Sequence, residues 1–183
     1  MKKAFLIATV MFGLWLLSSS IYMLAKAELS QYFIKDAWEK TLDDKQNHKP
    51  WSWADTYPIM QLSVPRIGRN SYVLQGGSGR NMAFSVVHLT PSGMPGNSKS
   101  TIISGHKDSH FEYLKELKIG DLIVTKDKNK THNYKVTSLD IVDSNNNSIA
   151  IRNTNELILT TCYPFNDLEF RGNLRYIVHA STI

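Results

Sequence analysis

From Ile59 to the C-terminus the chain is written in short β-forming runs separated by glycine, proline and asparagine. Ile59–Val64, Ser71–Leu74, Ala83–Leu89, Thr101–Ser104, Leu122–Lys126, His132–Val142, Leu157–Cys162 and Tyr176–Ala180 each read as a strand. Eight or so short strands with turn residues between them predict an all-β barrel or sandwich, with little helix. Gly79–Met82 has room for one helical turn and Phe111–Leu117 for a short helix, stopped by Gly120-Asp121. There is no internal repeat.

The run Leu157-Ile158-Leu159-Thr160-Thr161 delivers the chain's one cysteine, Cys162, at its end, and Pro164 then prevents the ladder from continuing. After a polar connection, Tyr176-Ile177-Val178 begins directly behind Arg175. Two neighbouring strands would place a thiol at the tip of one and a guanidinium at the base of the other. The thiolate is the reactive form of cysteine, and a nearby cation holds it or binds an anionic intermediate. The alternative is a buried structural cysteine and a surface arginine. A single cysteine also forms no internal disulfide, so the fold must stand on its core.

The first 27 residues read as a membrane-targeting segment. Met1-Lys2-Lys3 is a short basic head, and Ala4–Ala25 carries no charge. At about 1.5 Å per residue that run extends about 33 Å, enough for a hydrocarbon core of roughly 30 Å. The basic head predicts a cytoplasmic N-terminus and an exported remainder. Ala25-Lys26-Ala27 is also an A-x-A cleavage pattern, but the apolar run exceeds an ordinary signal core of about 7–15 residues, which favours a retained anchor. The expected layout is an anchor over 1–27, a helical and tryptophan-containing stalk over 28–58, and a β-domain over 59–183. Within the stalk, Leu29, Tyr32, Phe33, Ala37, Trp38 and Leu42 have near-helical spacing. Trp51 and Trp53 either plug the domain's side or sit at a membrane interface. Their distance from the anchor in sequence predicts the plug.

Lys+Arg 21 against Asp+Glu 16 gives +5, with the charges dispersed. That suits solubility and mild attraction to an anionic membrane or wall, and offers no nucleic-acid patch. His106 follows strand Thr101–Ser104 in Ser104-Gly105-His106-Lys107-Asp108. Its chemistry gains meaning beside Cys162 and Arg175: nucleophile, general acid/base and oxyanion clamp suit acyl transfer. His106 and His110 stand four apart, but Gly105 makes His106 a loop residue and no third ligand lies nearby, so no metal site is expected. Asp108 and Asp143 are isolated loop aspartates, and Gly76-Gly77-Ser78-Gly79 lacks the Lys-Ser/Thr of a phosphate loop.

These residues carry a resemblance. The chain resembles the sortases from about Trp53 to its end, through Ser104–Asp108, Leu159-Thr160-Thr161-Cys162-Tyr163-Pro164-Phe165 and Leu174-Arg175-Tyr176-Ile177-Val178. The order His, Cys, Arg and the step from 162 to 175 match as well. His106–Phe111, Cys162–Phe165 and the tryptophan-rich approach are most similar to class D and the related sortases of Gram-negative bacteria. The chain departs from the family at Ile158, where threonine is usual, and at Lys107, where arginine is common. Arg171 is a second arginine in the connection, without Arg175's strand context.

The resemblance implies an eight-stranded β-barrel behind an N-terminal transmembrane helix, and a single-pass protein whose catalytic domain lies outside the cytoplasm. It implies a cysteine transpeptidase with Cys162 as nucleophile, His106 as acid and base, and Arg175 as carbonyl clamp. Thr161, Thr160 and Asp108 would help to bind substrate. The partners implied are an exported protein with an LPXTG-like C-terminal signal and an amine acceptor of the cell envelope. No cofactor is implied, and calcium modulation stays open. Two alternatives remain: a cysteine endopeptidase using water as acceptor, and a non-catalytic anchored barrel that binds a partner.

Overall fold

The structure, a computed structural model, describes residues 2–146, 149–166 and 172–183, with side chains described throughout except at 4, 8, 17, 19–21, 23 and 24. It opens with one unbroken helix, α1 (Lys2–Asp44). No proline precedes Pro50 and the only early glycine is Gly13, so nothing stops the helix at the expected boundary between anchor and stalk. The expected transmembrane helix over 1–27 is not found as such: among the described residues no helix is long and apolar enough to cross a membrane. Part of that run falls on side chains outside the description, and Ser18–Ser20 interrupt its apolar character. Phe5, Leu6, Ile7, Met11, Phe12 and Trp15 within it are exposed.

Among the described residues eight strands close into a barrel: β1 (Pro58–Val64), β2 (Arg69–Gln75), β3 (Val87–His88), β4 (Thr101–Ser104), β5 (Leu122–Asp127), β6 (Thr131–Asp143), β7 (Glu156–Cys162) and β8 (Leu174–Thr182). Their order around it is β1-β2-β3-β4-β7-β8-β6-β5. The pairs β2–β3 and β4–β7 are parallel and the others antiparallel. The expected eight-stranded barrel is therefore present. One strand is much shorter than its apolar run suggests. After the helical turn α2 (Gly79–Met82), the amides of Phe84 and Ser85 bond back to the Asn81 carbonyl, so pairing in the run Ala83–Leu89 is confined to its second half and the strand itself to Val87–His88.

Alternate residues of each strand fill the barrel. Met60, Leu62 and Val64 come from β1, Leu157 and Leu159 from β7, Val178 and Ala180 from β8. Phe111 and Leu114, at a short 3-10 helix (Glu112–Glu116), join the same core. Each fully buried side chain of this size contributes about 1.5–3 kcal/mol relative to exposure.

The C-terminal half of α1 packs on the barrel through Ser30, Ile34, Ala37, Trp38 and Thr41, all buried. Ile34 meets Leu74 and Val87. This stripe is rotated from the expected one, and it leaves Leu29, Tyr32 and Phe33 exposed. The segment after α1 doubles back along the helix. Trp51 packs edge-on against Phe84, ring centroids 4.9 Å apart, and so plugs the side of the domain as expected. Trp53 does not: it is 83% exposed. Distance in sequence misleads here, because the reversed chain sets Trp53 beside Lys26 and Leu29.

Candidate active site

The position of the site follows from strand alternation. On β7, Leu157 and Leu159 point into the barrel while Ile158 joins an apolar cluster on the outer face with Ile102 of β4 and Ile177 of β8. Thr160 and Cys162 share the parity of Ile158 and therefore face outward, and Thr161 faces in. Pairing carries the outer row across the sheet: Ser104 stands opposite Thr160, and Arg175 opposite Cys162. Because β4 and β7 are parallel, they finish at the same rim of the barrel. One delivers His106 just past its end and the other delivers Cys162.

A groove of about 800 Å³ runs over this outer face, and His106, Cys162 and Arg175 all line it. Its apolar parts come from Ile102, Leu89, Val142, Ile149 and Ile151; its polar floor from Ser104, Thr160 and Thr161. Cys162 is half-buried and His106 exposed. Arg175 is half-buried, and its Nη1 donates to the carbonyls of Gly172 at 2.7 Å and Leu174 at 2.9 Å. A guanidinium carries five N–H donors, so others remain for an acyl oxygen. Arg171, the second arginine considered, lies outside the described residues.

Three bonds strap the His106 loop to the cysteine strand. The Gly105 amide donates to the Thr160 carbonyl at 3.3 Å. The buried Thr161 hydroxyl donates to the Gly105 carbonyl at 2.7 Å. Lys107, 9% exposed, sends its Nζ to the Pro164 carbonyl at 2.8 Å. Glycine is required at 105 for a steric reason: a Cβ there would fall 2.9 Å from both the Phe111 ring and Val86 Cγ1, closer than real Cβ atoms approach. Behind the cysteine, Tyr163, Phe165 and Tyr176 pack as an aromatic triangle with centroids 5.2–6.3 Å apart. Burial raises the Tyr176 phenol above its ordinary range.

The two threonines thus divide their work. Thr161 spends its hydroxyl on the loop, whereas the Thr160 hydroxyl is buried without a partner among the described residues and belongs to the groove-lining face. Asp108 is exposed and outside the groove lining. His110 turns to the Ala83 carbonyl, and burial lowers its pKa.

Sequence reasoning missed His88. It is 3% exposed in β3, with Nε2 3.0 Å from the Gly93 carbonyl and 3.1 Å from Ser92 Oγ. Ser92 Oγ in turn accepts from the Ile102 amide at 3.0 Å and donates to the Leu89 carbonyl at 2.7 Å. This network ties down the wall formed by Leu89–Ser92. Burial lowers the His88 pKa, the bond to Gly93 opposing it, and since a carbonyl only accepts, Nε2 is the nitrogen that donates in that bond. Nothing in the local sequence signals a buried imidazole at the end of a two-residue strand.

Comparison with known proteins agrees with this geometry. The family model described as the Sortase domain matches residues 62–183. Sortase D of Bacillus subtilis (strain 168) is 30% identical over 126 residues, covering 67% of this chain. The chain spans 62% of the length of that protein. A Clostridium perfringens Sortase D5 transpeptidase has a similar fold, with a TM-score of 0.69 at 16% identity over 85% of this chain and 99% of that one. Sortase C1 of Streptococcus agalactiae reaches 0.61 at 25% identity, over 69% of this chain and 67% of that one.

Proposed function

The chain belongs to the sortase family, and from that footing we propose that it is a cysteine transpeptidase acting on the C-terminal tail of an exported protein. The observation that carries the reading is the outer-face groove, where a thiol, an imidazole and a guanidinium from three separate strand ends open onto one apolar-walled channel. The similarity to Sortase D supports the class D resemblance.

Cys162 Sγ, as thiolate, attacks the carbonyl carbon of the scissile peptide bond. Arg175 donates to the carbonyl oxygen as negative charge collects on it. The C–N bond then breaks, His106 gives its proton to the departing amine, and the acyl group stays on Sγ as a thioester. An incoming amine attacks the thioester, loses its proton to His106, and expels the thiolate. The reaction transfers an acyl group without net oxidation or reduction. The apolar wall of Leu89, Ile102, Ile149 and Val142 limits water around the thioester, which favours the amine over hydrolysis. In this reading Thr160, whose hydroxyl is buried without a partner among the described residues, bonds the substrate backbone once the groove is filled.

The proposed substrate is a protein with an LPXTG-like C-terminal signal, and the acceptor an amine of the cell envelope. The barrel would work on the extracytoplasmic side of the cytoplasmic membrane. What supports this location is the run of exposed apolar side chains in the N-terminal half of α1, Phe5, Leu6, Ile7, Met11, Phe12 and Trp15 among them.

The full chain, incubated with an LPXTG-like peptide and an amine such as hydroxylamine, is expected to show an acyl adduct on Cys162 by mass spectrometry. Amine-captured product should exceed hydrolysed product, and Cys162→Ala should give neither. Hydrolysed product alone would make the protein an endopeptidase. The absence of any adduct across a degenerate peptide library would refute both and leave a non-catalytic binding barrel.

A further inference from the structure

Beside the barrel-facing stripe of α1, at its junction with the segment that follows the helix, runs an apolar edge that the catalytic reading does not use. Leu29 is 52% exposed, Tyr32 64%, Phe33 37% and Trp53 83%. Leu29, Phe33, Trp51, Trp53 and Phe84, with Lys26 at the rim, line a notch of about 310 Å³. We propose that this edge is a lipid-contacting surface that seats the barrel on the membrane from which α1 emerges. The proposal rests on the membrane location given above and adds the orientation of the barrel to it.

Three features select a bilayer surface as the occupant. The first is continuity: α1 is unbroken, so the exposed apolar residues from Phe5 to Tyr22 lead straight into this edge along one rigid rod. At about 1.5 Å per residue, Leu29 lies about 6 Å beyond Ala25 and Phe33 about 12 Å. The headgroup layer on each side of a bilayer is about 5–7 Å thick, so this edge falls at or just above it. The second is chemistry: tryptophan and tyrosine favour the interface, and Lys26 has the long stem and cationic head that reach anionic headgroups. The third is isolation from the core. Trp53 takes no part in the barrel's packing, so a side chain of that size stays in water unless something outside the chain covers it.

The edge also communicates with the site. Phe84 lines the notch, and Met82, two residues earlier on the same turn, lines the catalytic groove. Seating Phe84 against the membrane surface brings that end of the groove down to the plane in which a membrane-held substrate arrives.

The test uses the full chain in vesicles of phosphatidylcholine with an anionic phospholipid, with Trp53→Phe and Trp15→Phe variants to isolate each emission by difference. Because Trp53 is largely exposed, Trp53→Phe is expected to fold as the parent does. The Trp53 emission should shift to the blue, lose intensity to lipid brominated high on its acyl chains, and be shielded from aqueous iodide. Loss to iodide but not to bromolipid, with Trp15 still quenched by bromolipid, would overturn the seating while leaving the membrane location standing. If neither tryptophan senses bromolipid, both readings fall. Shielding of Trp53 without vesicles, together with a doubled mass in light scattering, would assign the edge to a second copy and overturn the proposal.

Discussion

Thr161→Val removes one strap between the cysteine strand and the histidine loop at almost constant volume. The hydroxyl donates to the Gly105 carbonyl at 2.7 Å, both residues are buried, and His106 is the next residue along. Taking the donor from a buried carbonyl costs about 1–3 kcal/mol, more than the net worth of one hydrogen bond, because the acceptor loses water as well. For a chain of 183 residues, at about 2–4 °C per kcal/mol, the melting temperature should fall by about 2–12 °C. The loosened loop should also lower kcat, with about tenfold corresponding to 1.36 kcal/mol of misplacement at the transition state, while KM changes little. Lys107→Met opens a second strap, the 2.8 Å bond to Pro164, on the same loop. If the two act together, a double-mutant cycle scored by thermal unfolding and by peptide turnover gives a coupling of about 0.5–3 kcal/mol. Two single variants that keep parental stability and turnover, or whose effects simply add, would refute the strap.

Thr160→Val should leave stability equal or slightly higher, since the hydroxyl it removes is buried without a partner, yet lower kcat/KM for peptide; unchanged peptide kinetics would remove Thr160 from the substrate site. His88 is held neutral by burial, so its folded pKa lies below the ordinary 6.5 and the unfolded chain binds the extra proton first. The stability it contributes is complete above about 6.5 and is lost as pH falls toward the depressed value. His110 adds the same sign. Melting temperatures should therefore drop between about pH 7.5 and 5, less steeply in His88→Gln, and a flat parental profile would count against the network. Arg66 holds the Asp121 carboxylate with bonds of 2.6 and 2.7 Å and keeps its pKa low. That contribution is present above the ordinary aspartate range and disappears as pH falls through the lowered value. Asp121→Asn should thus melt earlier at neutral pH and show a shallower acid limb in the same scan.

Where a strand was bounded by its own chemistry, the sequence was enough. Thr101–Ser104 ends at Gly105, which sterics demand, and Leu157–Cys162 ends before Pro164; both ends are found there, with β7 starting one residue earlier, at Glu156. Where a boundary depends on what lies across the sheet, it was not. Arg175 lies within β8 and not ahead of it, because Leu174 already pairs with Asp143. Ala83–Leu89 has strand-forming residues but spends its first amides on Asn81. On α1, Ala37 and Trp38 are buried as expected, but apolar side chains occur on two faces and only packing selects Ile34 over Leu29, Tyr32 and Phe33. The residue types of the candidate site were legible from their order, but their meeting on the outer face was not, because it comes from the parallel β4–β7 register, which no local pattern encodes.

That register has a consequence for how the protein can fail. Ile102 opposite Ile158 and Ser104 opposite Thr160 fix which side of the sheet each residue of β7 shows. A slip by a single residue would turn every side chain of the strand over. Cys162 would turn into the oily interior and Thr161 would stand in its outward place, with the composition unchanged and the barrel still closed. A misaligned molecule of this kind would be folded, compact and inert, visible to a thiol-labelling reagent by its silence before any loss of secondary structure. Insertions in the connection leading to β7 are where such dead but well-folded molecules would arise.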